Sequence, residues 1–345
     1  MRALQKTIGA SRRARIDVYG SGMDRAEFSR RQIAELGERL VELEEMLKDE
    51  PLCIYATGSY GRLEAWSGSD IDVFFLHEAH PETPFSRLNL IKVSAQLIEA
   101  TEEMGFPPFS GDGRYLDVHY LELMREVLGS REDDSLNVFT ARMLLLLESR
   151  PIFGAERYQH FLETVVNFYF RDFHDHIEGF LPTFLNNDIL RFWRTLTLNY
   201  EHDRFEIQML SPPQRPAAKA KSALKNYKLK VSRLATCFSM VVHLASEEPP
   251  VTPQRVLELC AQTPRERFEA LAEGGGEIKA CVKQLLETYD SFLTTVQRPG
   301  EELLEDFGDG ETRKQRLEEA AQFGERIYEL LTLVTPSERM RTLVV

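Results

Sequence analysis

Thr57-Gly58-Ser59-Tyr60-Gly61-Arg62-Leu63-Glu64-Ala65-Trp66-Ser67-Gly68-Ser69-Asp70-Ile71-Asp72-Val73-Phe74-Phe75 decides the fold of this chain. Just before it, Leu52 to Ala56 is a short apolar run, read as a buried strand that ends in a turn at Thr57-Gly58-Ser59. Glycine there lets the backbone approach a ligand and take dihedrals that other residues avoid. Free backbone N–H groups after such a turn attract anions. Asp70 to Phe75 reads as a second strand. Alternation puts Ile71 and Val73 on one face and Asp70 and Asp72 on the other, about 7 Å apart along the strand. Two carboxylates so placed repel each other unless a positive charge sits between them.

A magnesium ion takes one or two carboxylates, waters and phosphate oxygens, so the pair makes chemical sense as a seat for Mg²⁺ or Mn²⁺ with a nucleotide. A third acid is sought downstream. Phe85 to Met104 has the spacing of an amphipathic helix, with Leu90, Val93, Leu97 and Ile98 on its apolar side. Phe106-Pro107-Pro108 ends it, and Gly111-Asp112-Gly113 makes a loop in which Asp112 is a turn residue. Arg114 to Leu121 then reads as a strand that buries Leu116 and Val118 and turns Asp117 and His119 to the other face. Asp117 is the candidate third ligand.

Gly58-Ser59, a spacer, and Asp70-Ile71-Asp72-Val73 together resemble the signature of the DNA polymerase β nucleotidyltransferase superfamily. Within it, Gly58-Ser59-Tyr60-Gly61-Arg62-x-Glu64 followed by Ser69-Asp70-Ile71-Asp72 is most similar to the bacterial PII-protein uridylyltransferase group and its shorter relatives. The likeness is clear over residues 50–122 and loose to 155. It implies an α+β fold and transfer of a nucleoside monophosphate from an NTP to an acceptor hydroxyl, with pyrophosphate leaving. Asp70, Asp72 and Asp117 would be the catalytic, metal-holding acids in two-metal-ion catalysis. Ser59 would hold the outer phosphates, aided by the Gly58 and Tyr60 backbone, with Arg62 beside them. The chain is too short for the phosphohydrolase and ligand-sensing tails of the full-length regulators, which puts a PII protein as acceptor in doubt. His174-Asp175-His176 has no companion metal-histidine pattern and reads as a solvated cluster.

A chain of 345 residues accommodates two domains. The division expected near Pro151 gives a small mixed-sheet nucleotidyltransferase domain with an N-terminal helix at 1–150, then an all-helical domain at 151–345. A long helix is expected from Asp24 to Lys48 and another from Leu136 to Glu148. Further helices are expected at 155–180, 188–202, 217–246, 253–271, 275–297 and 311–332. Asn186, Asn187 or Asp188 would cap the 188–202 helix, and Glu301 to Glu311 reads as an acidic loop. The four cysteines are widely spaced with no metal knuckle or disulfide framework, and no apolar run is long enough for a membrane span, so a cytoplasmic protein is expected.

The net charge of −13 argues against a broad nucleic-acid surface unless a local basic face exists. One does: from Ile207 to Ser246 there is no acidic residue, while Arg215, Lys219, Lys221, Lys225, Lys228, Lys230 and Arg233 fall there. Lys221, Lys225 and Lys228 share a helical face. Relatives in the superfamily place a cation from the helical domain on the triphosphate, so the resemblance nominates Lys225 and Lys228. Arg191 and Arg194 are weaker cationic candidates. The acceptor is open among a protein side chain, an RNA end and a small molecule. Two other readings stand beside transfer: a nucleotide second-messenger synthase, and a non-catalytic nucleotide-binding or toxin–antitoxin-type protein.

Overall fold

A computed structural model describes residues 24–109, 113 and 116–343, at Thr342 for the backbone alone. Asp112, the expected turn residue, and Arg114 and Tyr115, the expected start of the third strand, lie outside the described residues. The chain divides into two compact units, the first ending at Phe168 and the second beginning at Tyr169. The first unit thus takes in the strand and helix that follow Pro151.

The first unit is built on a four-stranded mixed sheet in the order β3-β2-β1-β4. Strand β1 (Leu52–Thr57) pairs antiparallel with β2 (Asp72–His77) and with β4 (Arg150–Phe153), while β3 (Val118–Tyr120) runs parallel to β2. Every residue of β1 is buried, because the central strand is covered on both faces. Leu52, Ile54 and Ala56 join a core with Leu36 and Ile33 of helix Arg25–Arg39 and Val93 and Leu97 of helix Arg87–Glu103. Tyr55, facing the other way, stacks on Phe74 at 5.7 Å and lies 6.2 Å from the Tyr158 ring. This two-sided burial explains why β1 is a continuous apolar run rather than an alternating one.

Several expected elements change at their ends. The expected Asp24–Lys48 helix is two, Arg25–Arg39 and Leu43–Leu47. The break follows Gly37, whose missing side chain admits the Ile152 carbonyl: a Cβ there would lie 2.7 Å from that oxygen. Helix Arg87–Glu103 starts at a Ser86 cap, whose hydroxyl accepts from the Asn89 N–H. The Leu136–Glu148 expectation becomes Val138–Leu147.

The second unit is helical. Its core gathers Tyr227, Tyr289, Phe292, Phe307 and Phe323, with the Tyr227 ring 5.2 Å from Phe292 and 5.4 Å from Phe307. The expected 217–246 helix is a rod, Arg215–Lys228 and Leu234–Ser246, joined by one π-helical stretch at Leu229–Arg233. The helix expected at 188–202 runs Thr183–Met209, and Asp188 is not its cap. Asp188 is buried inside the helix and accepts from the Tyr169 hydroxyl at 2.8 Å. The stretch read as an acidic loop is also corrected: Gly300–Gly308 is a helix. Leu303 and Phe307, four apart and both buried, supply the apolar stripe that its acidic composition concealed. The helix expected at 253–271 splits at Pro264, where Thr263 and Glu266 form a capping box.

Candidate functional site

The corner where β1 turns towards β2 is held by close backbone packing. Thr57 ends β1 in extended geometry and Gly58–Gly61 makes a single helical turn. Gly58 takes φ +66°, and a Cβ there would lie 2.8 Å from Asp72 Oδ2, so the Asp72 carboxylate rests over the glycine. β-pairing sets this closeness, because Thr57 is the partner of Asp72 in the antiparallel register. Gly61 is constrained by packing alone: a Cβ would lie 1.9 Å from the Glu148 carbonyl oxygen. The turn closes with Arg62 N–H donating to the Gly58 carbonyl at 3.0 Å and Glu64 N–H to the Ser59 carbonyl at 2.8 Å.

Alternation along β2 is as expected. Asp70 and Asp72 are exposed, Ile71 and Val73 are buried, and the strand itself begins at Asp72. On β3 the face assignment also stands, with Val118 buried and Asp117 exposed. His119 is on the Asp117 face and its ring lies 5.5 Å from Phe74. Burial holds the His119 imidazole below its ordinary value of 6.5, with the Asp117 carboxylate pulling weakly the other way.

Asp117 does not close a three-acid cluster. Val118 pairs with Phe75 in the parallel register, so Asp117 falls beside Phe74, two residues along from Asp72. That offset is roughly 6.6 Å of strand. The Asp117 Oδ1 also accepts from the Val118 N–H at 2.9 Å. Among the described residues no group of three or more His, Cys, Asp or Glu side chains is gathered so as to hold a metal ion. What the corner offers is a carboxylate pair beside a glycine turn. That donor set suits Mg²⁺ when waters and substrate phosphates complete the shell, since this ion normally keeps most of its non-protein ligands.

The other expected ligands separate by role. Ser59 is half-buried at the turn, with its side chain between solvent and protein. Tyr60 is buried against Phe106 at 5.4 Å, so its ring is core and only its backbone borders the turn. Arg62 is buried too. Its Nε donates to Glu64 at 2.8 Å and its Nη1 to Glu148 at 2.5 Å, with both carboxylates buried. This guanidinium is committed to two anions, so Arg62 braces the turn rather than reaching a nucleotide. Glu148 was missed in the sequence. Its only signal was a carboxylate closing the apolar run Met143-Leu144-Leu145-Leu146-Leu147. The N-terminal helix adds a second brace: Ser29 Oγ accepts from Ala65 N–H at 3.1 Å, and Arg25 donates to the Glu64 carbonyl at 3.1 Å.

The nominated lysines belong to the second unit. Lys221, Lys225 and Lys228 are exposed on the solvent side of helix Arg215–Lys228, while Ala220, Ala223 and Tyr227 form its buried stripe. Lys225 is ion-paired with Asp203. Arg191 lies 3.5 Å from Asp188, and Arg194 is exposed. His174, Asp175 and His176 are exposed, in keeping with a solvated cluster. All four cysteines are free and buried. Burial drives the Cys53 thiol far above its ordinary range, so this side chain is core and not a nucleophile. Among the described residues no helix is long and apolar enough to cross a membrane.

No curated protein matches the chain significantly. Residues 12–114 match the model of a family described as "Putative nucleotidyltransferase DUF294". The matched segment contains β1, the glycine turn, β2 and helix Arg87–Glu103, and stops before Asp117. It therefore covers the carboxylate pair and the turn, and supports a nucleotidyltransferase function for the chain.

Proposed function

We propose that the chain is a metal-dependent transferase of the 2.7.7 type, which moves a nucleoside monophosphate from an NTP to an acceptor hydroxyl. The single observation that carries this reading is the packing of the Asp72 carboxylate over Gly58, one residue from Ser59. It brings an anionic cation seat and a phosphate-approachable backbone turn to one corner.

Asp70 and Asp72 would hold Mg²⁺ or Mn²⁺. The bound ion, arriving with the triphosphate, would neutralise phosphate charge and acidify the attacking hydroxyl. Ser59 would donate its hydroxyl to a phosphate oxygen, with the Gly58 and Tyr60 backbone lining the turn. Asp117, exposed on the same sheet face, would orient the acceptor hydroxyl and take its proton. Arg62, Glu64 and Glu148 would keep the turn in register without touching substrate. The paired Arg62 and Glu64 also give a structural reason for the Tyr60-Gly61-Arg62-x-Glu64 segment, the likeness that suggests the PII-uridylyltransferase type. A hydroxyl on a protein, an RNA end or a small molecule is the acceptor class, and buried cysteines that form no disulfide suit the reducing cytoplasm.

The test is incubation with each labelled NTP and Mg²⁺ or Mn²⁺, following pyrophosphate release. Turnover that Asp70→Asn and Asp72→Asn both suppress supports the assignment. Turnover untouched by both substitutions excludes it.

A further inference from the structure

The second unit contains a cavity of about 650 Å³, lined by none of the residues given a role in transfer above. It lies between the C-terminal part of helix Thr183–Met209, one side of helix Arg215–Lys228 from Arg215 to Asn226, and the N-terminal part of helix Gly310–Val334. Arg204, Arg215, Lys219 and Arg313 line it, and no carboxylate does. In a chain with a net charge of −13, four cations on the wall of one cavity reverse the local sign of charge, although Glu305 lines an adjoining pocket beside three of them.

The way these cations are held is informative. Arg204 is neutralised by Glu201, at 2.7 and 2.9 Å. The other three are not. Arg215 is fixed by backbone carbonyls, donating from Nε to Leu210 at 2.8 Å and from Nη2 to Gln208 at 3.1 Å. Arg313 donates to the Phe307 carbonyl at 3.3 Å. Carbonyls orient a guanidinium without cancelling its charge. Lys219 is exposed and pairs with no carboxylate among the described residues. Helix Arg215–Lys228 presents its first turn here, at Arg215, with no acid in that turn, so its dipole adds positive potential. Ser222 and Asn226 supply neutral polar groups to the lining.

We propose that this cavity is a binding site for a small ligand carrying adjacent phosphate groups, either a free polyphosphate chain or the polyphosphate of a nucleotide. Arg215, Lys219 and Arg313 take the phosphate oxygens, and the volume is in the range of small-molecule sites. Pre-oriented guanidinium groups match the forked geometry of phosphate better than a mobile lysine row would. That distinguishes this cavity from the exposed Lys221–Lys228 face, where Lys225 is already paired with Asp203.

The cavity is lined by residues of the second unit alone, and the experiment separates binding there from binding at the Gly58–Asp72 corner. The full chain, as Asp72→Asn, is titrated calorimetrically with inorganic tripolyphosphate in metal-free buffer, then with ATP. Tripolyphosphate is expected to bind, and Lys219→Gln with Arg313→Gln to weaken it about tenfold or more. Lys219→Arg should restore most of the affinity. ATP binding no more tightly than tripolyphosphate identifies a polyphosphate site; ATP binding more tightly, with the same sensitivity to the double substitution, identifies a nucleotide site. Lys219 is exposed and Arg313 half-buried, and circular dichroism with the thermal midpoint checks that the doubly substituted chain folds as the parent does. No tripolyphosphate or ATP binding in the Asp72→Asn chain, or affinity equal in the doubly substituted chain, overturns the proposal.

Discussion

The carboxylate corner of the first unit and the lysine face of the second carry opposite charge and are held in opposite ways. Asp72 starts β2, opposite Thr57, and the chain around it is pinned by strand pairing, a glycine too crowded for a side chain, and a buried ion triad. Lys221, Lys225 and Lys228 project from one helix into solvent, and Lys225 is steadied by a surface pair with Asp203. A few ångströms of displacement would cost the first region its geometry and the second almost nothing. Rigidity is therefore concentrated at the corner where the proposed transfer would need charge held at a fixed distance from a substrate.

The comparison breaks most visibly at Arg62. Arg62→Met leaves Glu64 and Glu148 buried without their cation, and a loss of about 3–5 kcal/mol is expected in urea-unfolding experiments. A loss under about 1 kcal/mol would mean that the triad is not what fixes the turn. Next comes Asp72→Asn, expected to slow pyrophosphate release at least about a hundredfold, or ~2.7 kcal/mol in the barrier. The fold should persist by circular dichroism, which separates this lesion from that at Arg62.

A pH titration probes the same corner more gently. Burial lowers the His119 affinity for protons, and the same cause acts on His243 in the second unit, where the Arg267 carbonyl partly offsets it. Both are neutral in the fold near neutrality, while the unfolded chain takes up protons as pH falls below 6.5. Stability is thus full above 6.5 and declines below it. His119→Phe should flatten part of that decline in melts on either side of pH 6.5, and an unchanged slope would leave His243 as its source. The smallest effect belongs to Lys225→Gln, whose exposed pair is worth no more than about 0.5 kcal/mol. A larger change in thermal unfolding would show that the lysine face is structural after all.

The expected strand–turn–strand order and the faces of its side chains were legible because they follow from a two-residue period and from glycine chemistry, both local. The match over residues 12–114 falls on that same stretch. Legibility failed where the deciding contact came from far along the chain. Arg62 looked like a ligand because Glu148, its partner, is 86 residues away. The burial of the Tyr60 ring depends on Phe106, 46 residues on, while the part expected of its backbone at the turn is unaffected. The Gly300–Gly308 segment looked like a solvated loop because its acids outnumber the two apolar residues that bury it.

By itself, then, the amino-acid order determined the alternation that exposes Asp70 and Asp72 and the glycine positions that let a carboxylate settle over the turn. Tertiary structure alone decided that Asp117 stands two residues out of line with Asp72, that Arg62 is a brace, and that Arg215, Lys219 and Arg313 meet around one cavity. The reason is the range of the forces. Periodicity and backbone sterics act between neighbours, whereas the pairing of a buried charge depends on which distant segment the fold brings against it.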